Sequence, residues 1–235
     1  MHAASAAHGA ALTERIIAFA YADAIPRLSP IYRGLVEGLC ENIRAVMPGT
    51  KIVHVTDEAT KPLLGPDERL HVARDIPLMT WHMRAHMEAQ ALADEVMFTE
   101  PDVRFKSDIL HVFDDDDFDI AVTAREVDAN WDLNGKRVML SDVAPYTLGT
   151  TFSRSAEFWR ECAEHCATLG DREQHWLGDM LALSAVIEAK RYRVKVIDGR
   201  TYNHIPCSRE DSCDVKVLHY KGMRKDFLFP QAREA

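Results

Sequence analysis

Apolar residues fall along this chain in two rhythms, and their alternation predicts an α/β protein. Short continuous apolar runs at Arg15–Ala20 (RIIAFA), Lys51–Thr56 (KIVHVT) and 96–98 suit strands buried on both faces of a parallel sheet. Between residues 30 and 47, Ile31, Leu35, Leu39, Ile43 and Val46 recur at helical spacing until Pro48-Gly49 stops the pattern. Strand, helix and strand in that order make a βαβ unit with a right-handed crossover. Residues 60–70 read as a loop and 71–76 as a weaker third strand, while Trp81, Met83, Met87, Ala91 and Leu92 predict a helix over 80–94.

The second half of the chain carries a mixed pattern. Residues 103–113 predict a short helix or turn ending in Asp114 to Asp117, a run without the alternating ligands and glycine of a calcium loop. A strand follows at 118–123, and Asn134-Gly135 marks a hairpin before a strand at 137–140, so the sheet is expected to gain antiparallel members there. A strand at 146–152 has Gly149 in its interior, a position that permits close approach of a ligand or another backbone. Helices are expected over 157–169 and, as one long element, over 173–191, with Ser184 free to bond back to its own helix. Strands at 193–197, 202–205 and 215–220 complete the prediction.

Composition narrows the class. The 235 residues are 47% apolar, enough for one sizeable core, and no Pro/Gly/Ser linker divides them, so residues 15–235 are expected to form a single domain behind a disordered leader at 1–14. The 37 acidic residues exceed the 28 basic ones, and a net charge of -9 argues against a general nucleic-acid or anionic-membrane binder. An odd number of cysteines without paired CxxC spacing suits a reducing, cytoplasmic location, with Cys162 and Cys166 expected as buried thiols. No apolar run approaches the ~20 residues of a membrane span.

Candidate chemistry concentrates at two places. The run ending in Glu100-Pro101-Asp102 stops at two carboxylates, and Pro101 holds the first in extended backbone so that both face the strand's carboxyl end, where open α/β sheets bind ligands. Near the other terminus, His219, Gly222 and Lys225 offer a metal-capable imidazole, a close backbone approach and a mobile ammonium to a nucleotide diphosphate. Tyr21 and Asp23 end the first strand and are candidates for a base and a ribose, and Arg84 for the acidic pair or a phosphate, each against the plainer reading of an ordinary loop or surface residue. Gln174 and Asp179 lie near a helix amino end and are available either to a substrate or to the helix itself.

These motifs resemble those of nucleotide-sugar glycosyltransferases of the GT-A fold, most closely the family-eight type that includes glycogenin and bacterial galactosyltransferases. Glu100-Pro101-Asp102 is similar to their Asp-x-Asp motif, and His219-x-x-Gly222-x-x-Lys225 to their terminal His-x-x-Gly-x-x-Lys. The resemblance implies a mixed Rossmann-like sheet flanked by helices and a donor that is a nucleotide-diphosphate sugar, with uridine favoured. It further implies Mn2+ or Mg2+ held firmly by Asp102 and completed by His219, with Glu100 on the metal or on the ribose, diphosphate held by Gly222 and Lys225, Gly149 on the donor strand, and retention of anomeric configuration. The chain departs from the family at Glu100 for the first Asp, at Pro101, at Thr147 for Asn, and at Asp226-Phe227 for Pro-Trp. Two rival functions stay open: a sugar-phosphate nucleotidyltransferase, for which the loop after strand one offers only Arg27, and a nucleotide-sugar binding module without turnover. The sequence names no acceptor.

Overall fold

The computed structural model describes residues 14–23, 29–115, 117–133, 135–208 and 214–228. Of the expectations above, the leader (apart from Glu14), Arg27, Asp116 and Asn134 lie outside those residues. The apolar runs form strands β1 (Arg15–Ala20), β2 (Lys51–Thr56), β3 (Glu68–His71) and β4 (Glu95–Thr99), with helices α1 (Ser29–Val46) and α2 (Leu78–Gln90) between them. Strands β5 (Val103–Phe105), β6 (Ile120–Ala124), β7 (Asn130–Leu133), β8 (Lys136–Met139), β9 (Tyr146–Ser153), β10 (Val194–Ile197) and β11 (Val217–His219) follow. They alternate with helices α3 (Val112–Asp115), α4 (Leu140–Val143), α5 (Ala156–Ala167), α6 (Asp171–His175), α7 (Gly178–Glu188) and α8 (Gly199–Tyr202).

A seven-stranded sheet in the order β10-β6-β9-β4-β1-β2-β3 forms the middle layer. All its pairings are parallel except those of β9, which runs antiparallel to β4 and β6. Successive side chains of a strand face opposite layers. Val96 and Phe98 of β4 therefore join Trp81, Phe158, Trp159 and Leu183 under α2, α5 and α7, whereas Met97 joins Leu39, Ile43 and Phe152 under α1. Each large side chain so buried contributes about 1.5–3 kcal/mol. Trp159 packs edge-on to Phe98 at 5.1 Å between ring centres, and its indole N–H donates to Ser153 Oγ at 2.9 Å, so the polar atom it brings into the core is satisfied. Cys162 and Cys166 are buried thiols, and burial pushes Cys166 up to about 11. No helix among the described residues is long and apolar enough to cross a membrane.

Tertiary context overrides the local pattern in several places. The third strand lies at 68–71, earlier than expected, where it pairs with β2. Residues 103–113 open with strand β5 before the single turn α3, and the β7–β8 hairpin stands apart from the central sheet. The long helix expected over 173–191 is two helices, because Leu177 adopts a left-handed conformation (φ 75°) that an α-helix cannot continue. Ser184 does bond back to its helix, donating to the Met180 carbonyl at 2.9 Å. Residues 202–205 are no strand: Asp198 caps α8 by accepting from the Arg200 and Thr201 amides, and only His204 makes a β-bridge, to Leu218.

Parallel pairing puts the carboxyl ends of β1, β2, β4 and β6 along one edge of the sheet, and the reversed β9 begins at that same edge with Tyr146 and Thr147. Most of the candidate residues gather there, Arg84 and Gln174 excepted.

Candidate metal and donor site

After Thr99 the chain leaves the central sheet through a turn closed by the Val103 amide donating to the Glu100 carbonyl at 3.1 Å. It then forms β5, which pairs antiparallel with β11 in a register that sets Val103 opposite His219. That register is what joins the two ends of the sequence, since it places the imidazole beside the residue preceding Val103, Asp102. The Tyr220 amide donates to the Asp102 carbonyl at 2.9 Å and the His219 amide to the His204 carbonyl at 2.7 Å, fixing both backbones. His219 Nε2 lies 2.9 Å from Glu100 Oε2 and 3.3 Å from Asp102 Oδ1, and one ligand atom from each of the three falls within 4.8 Å of the others. Lys225 Nζ lies 2.5 Å from Asp102 Oδ2.

The electrostatics are those of a cluster built around positive charge. Burial favours the neutral form of Asp102 and Glu100, yet His219 holds both below the ordinary carboxylate range, helped by Lys225 at Asp102 and by Lys221 at Glu100. Burial and Lys221 oppose charge on His219, but Asp102 and Glu100 outweigh them and raise its pKa. His219 is fully buried, and its Nε2 makes no hydrogen bond of acceptable geometry in spite of its short distances to the two carboxylates. A buried ring nitrogen left without a hydrogen bond is costly, whereas a nitrogen whose lone pair meets a cation shared with two carboxylates is satisfied. Two oxygens and one imidazole nitrogen fit an exchangeable divalent ion of the manganese or magnesium kind better than a structural zinc.

The opposite face of the ring explains Gly149. His219 Nδ1 lies 2.7 Å from Asn203 Oδ1, and a Cβ on Gly149 would come within 2.2 Å of that nitrogen and 2.4 Å of that oxygen. The missing side chain makes room for His219 and Asn203, so Gly149 shapes the site from beneath instead of meeting the donor directly. Asn203 in turn donates through Nδ2 to Thr123 Oγ1 at 3.1 Å and to Thr147 Oγ1. Neither Asn203 nor Thr123 stood out in the sequence. Asn203 lies in a segment expected to be a strand, and Thr123 looks like any β-branched strand residue.

Tyr21 and Asp23 occupy the same sheet edge, where the Tyr21 hydroxyl donates to Asp23. Tyr21 itself is buried and stacks under Tyr32, whose ring lies 5.9 Å away and 5.7 Å from Lys225 Nζ, so Tyr32 is the half-exposed ring beside the ammonium. Asp23 also faces Arg33 at 3.5 Å. Gly222 adopts a positive φ of 60° in the turn that opens the 3-10 helix Gly222–Phe227 carrying Lys225.

Two candidates lie elsewhere. Arg84 turns outward to Asp75 at 3.6 Å, because helical spacing from the inward His82 points it away. Gln174 donates to the Leu169 carbonyl at 2.7 Å and so closes the carboxyl end of α5. Asp179 is buried and receives His82 Nδ1 at 3.1 Å. Burial opposes charge on His82, but the hydrogen bond it donates to Asp179 and the charges of Asp179 and Glu100 raise its pKa. His82 therefore bonds Asp179 while feeling the charge of Glu100, a placement that the sequence did not reveal.

No family model and no curated protein sequence matches this chain. Solved structures do. A glycosyltransferase involved in glycosylation of the major capsid of PBCV-1 superposes with a TM-score of 0.57 at 14% identity, covering 90% of this chain and 98% of its own. The galactosyltransferase LgtC, solved in complex with donor and acceptor sugar analogues, gives 0.53 at 14% identity over 88% and 87% of the two chains. The glycosyltransferase GlyE of Streptococcus pneumoniae TIGR4 gives 0.56 at 11% identity, with 91% of this chain matching 60% of that one. The mostly parallel seven-stranded sheet with its flanking helices matches the GT-A glycosyltransferase fold.

Proposed function

We propose that this protein is a metal-dependent glycosyltransferase that moves a sugar from a nucleotide-diphosphate donor, with uridine diphosphate as the favoured carrier, to an acceptor hydroxyl. The observation that carries the reading is the convergence of Glu100, Asp102 and His219 from distant parts of the sequence on one point, with Lys225 at its margin. Glu100, Asp102 and His219 would hold the ion, which would supply Lewis acidity to a diphosphate leaving group. Lys225 adds an ammonium whose pKa burial pushes down but the facing Asp102 raises above the ordinary lysine value. Tyr21 and Tyr32 offer stacked rings for the base, and Asp23 a carboxylate for the ribose. Asp179, steadied by His82 and the Met180 amide at 2.7 Å, is the negative group set to face the positive charge that develops on the anomeric carbon. Resemblance to family eight adds retention of configuration.

The test is turnover of a panel of nucleotide sugars with Mn2+, with Mg2+ and with chelator. The expected result is sugar release that needs the ion and falls by about 10²–10³-fold in Asp102→Asn. Full activity of that variant, or undiminished activity in chelator, would overturn the reading. Pyrophosphate formation from a nucleoside triphosphate would replace it with nucleotidyl transfer.

A further inference from the structure

We propose that Asn203 is a positioning residue that locks His219 in the tautomer with its proton on Nδ1, and so reserves the Nε2 lone pair for the ion. The inference deepens the metal reading above and rests on it. Its ground is the accounting of protons in the buried group beneath the ring. Thr123 Oγ1 donates to the Thr147 carbonyl at 3.1 Å, and the two threonine hydroxyls lie 2.8 Å apart, so Thr147 can donate to Thr123 Oγ1. Both hydroxyl protons are then used, and both oxygens face Asn203 as acceptors. The amide of Asn203 meets them with its two N–H groups, which turns Oδ1 toward His219 Nδ1 at 2.7 Å.

In this arrangement every proton has an acceptor. Turning the amide round would leave one of its N–H groups unmatched and would take from the Nδ1 proton of His219 the acceptor that Oδ1 provides. Thr123, Thr147, Asn203 and His219 are all buried, so water does not compete for these bonds. Gly149 closes the arrangement from the strand side, because any side chain there would part Asn203 from His219.

The test compares the wild type with Asn203→Leu, which keeps the branched heavy-atom shape but removes the acceptor, and Asn203→Asp, which restores an acceptor for Nδ1–H. Long-range 15N–1H spectra of the metal-free protein, taken at a pH where further base no longer shifts the ring signals, report the tautomer of the neutral imidazole, with the His219 signal assigned by its loss in His219→Gln. Titration with Mn2+ reports affinity without any substrate. The expected outcome is Nδ1–H in the wild type and Asn203→Asp and a mixed population in Asn203→Leu. Mn2+ binding should be 10–100-fold weaker in Asn203→Leu and within about threefold of wild type in Asn203→Asp. A wild-type proton on Nε2, or equal loss of affinity in both variants, overturns the proposal while leaving the metal site in place. If the wild type binds no Mn2+ yet the tautomer shifts only in Asn203→Leu, the positioning role holds and the metal reading falls.

Discussion

Gly149→Ala isolates the geometry of the site from its chemistry, because it changes no ligand and no charge. The added Cβ would sit 2.2 Å from His219 Nδ1 and 2.5 Å from its Cε1, where ordinary contact begins near 3.4 Å. The ring must therefore retreat by roughly 1 Å, and metal ligands tolerate only about ±0.2 Å. Neither neighbour can give way cheaply, since His219 is held at its amide by His204 and Asn203 by two threonines. Overpacking of a buried site costs about 1–3 kcal/mol, offset by the ~0.4–1 kcal/mol that alanine removes from the entropy of the unfolded chain. The net destabilisation of about 1–2 kcal/mol corresponds to a Tm lower by roughly 2–8 °C in a chain of this size. Calorimetric titration with Mn2+ should then show at least a tenfold weaker site in a protein that is still folded. Affinity within twofold of wild type, with unchanged Tm, would refute the assignment of Gly149 to the space beneath His219.

Other consequences are independent of that position. Asp179→Asn should lower kcat by about 10²-fold while leaving Mn2+ affinity unchanged, and parallel loss of both would place Asp179 in the metal site. His54 is buried, which lowers its pKa to about 4 against the help of its bond to the Tyr21 carbonyl at 2.9 Å. Because the unfolded chain takes up that proton first, stability is fully present above the ordinary imidazole pKa and is lost as pH falls toward 4, by about 3 kcal/mol in all and about 2 kcal/mol by pH 5. Urea unfolding at pH 7.5 and 5 should show that loss shrinking in His54→Gln, and an unaltered pH dependence would remove His54 as its source. Lys190 is exposed and left-handed (φ 55°) just beyond α7, so Lys190→Gly should raise stability by about 1 kcal/mol in thermal melts; a fall would contradict the strain argument.

The alternation of apolar runs was sufficient to predict β1, β2, β4 and the helices between them, because buried strands and amphipathic helices are written in local periodicity. It also marked Glu100, Asp102, His219, Gly222 and Lys225, whose residue types carry their chemistry wherever the chain places them. The sequence did not determine how those residues meet. β5 and β11 are three residues each and form a two-stranded sheet of their own, and although a strand is expected over 215–220, nothing local shows that it pairs with residues more than a hundred positions earlier. That pairing alone sets His219 against Asp102. The same holds for Gly149, Asn203 and His82, whose roles come from neighbours remote in sequence, and for Leu177, where tertiary packing imposes a backbone that local propensity opposes. Local pattern determined which elements form and which residues can react; long-range packing decided which of them share a site, because contacts across the fold leave no periodic trace in the chain.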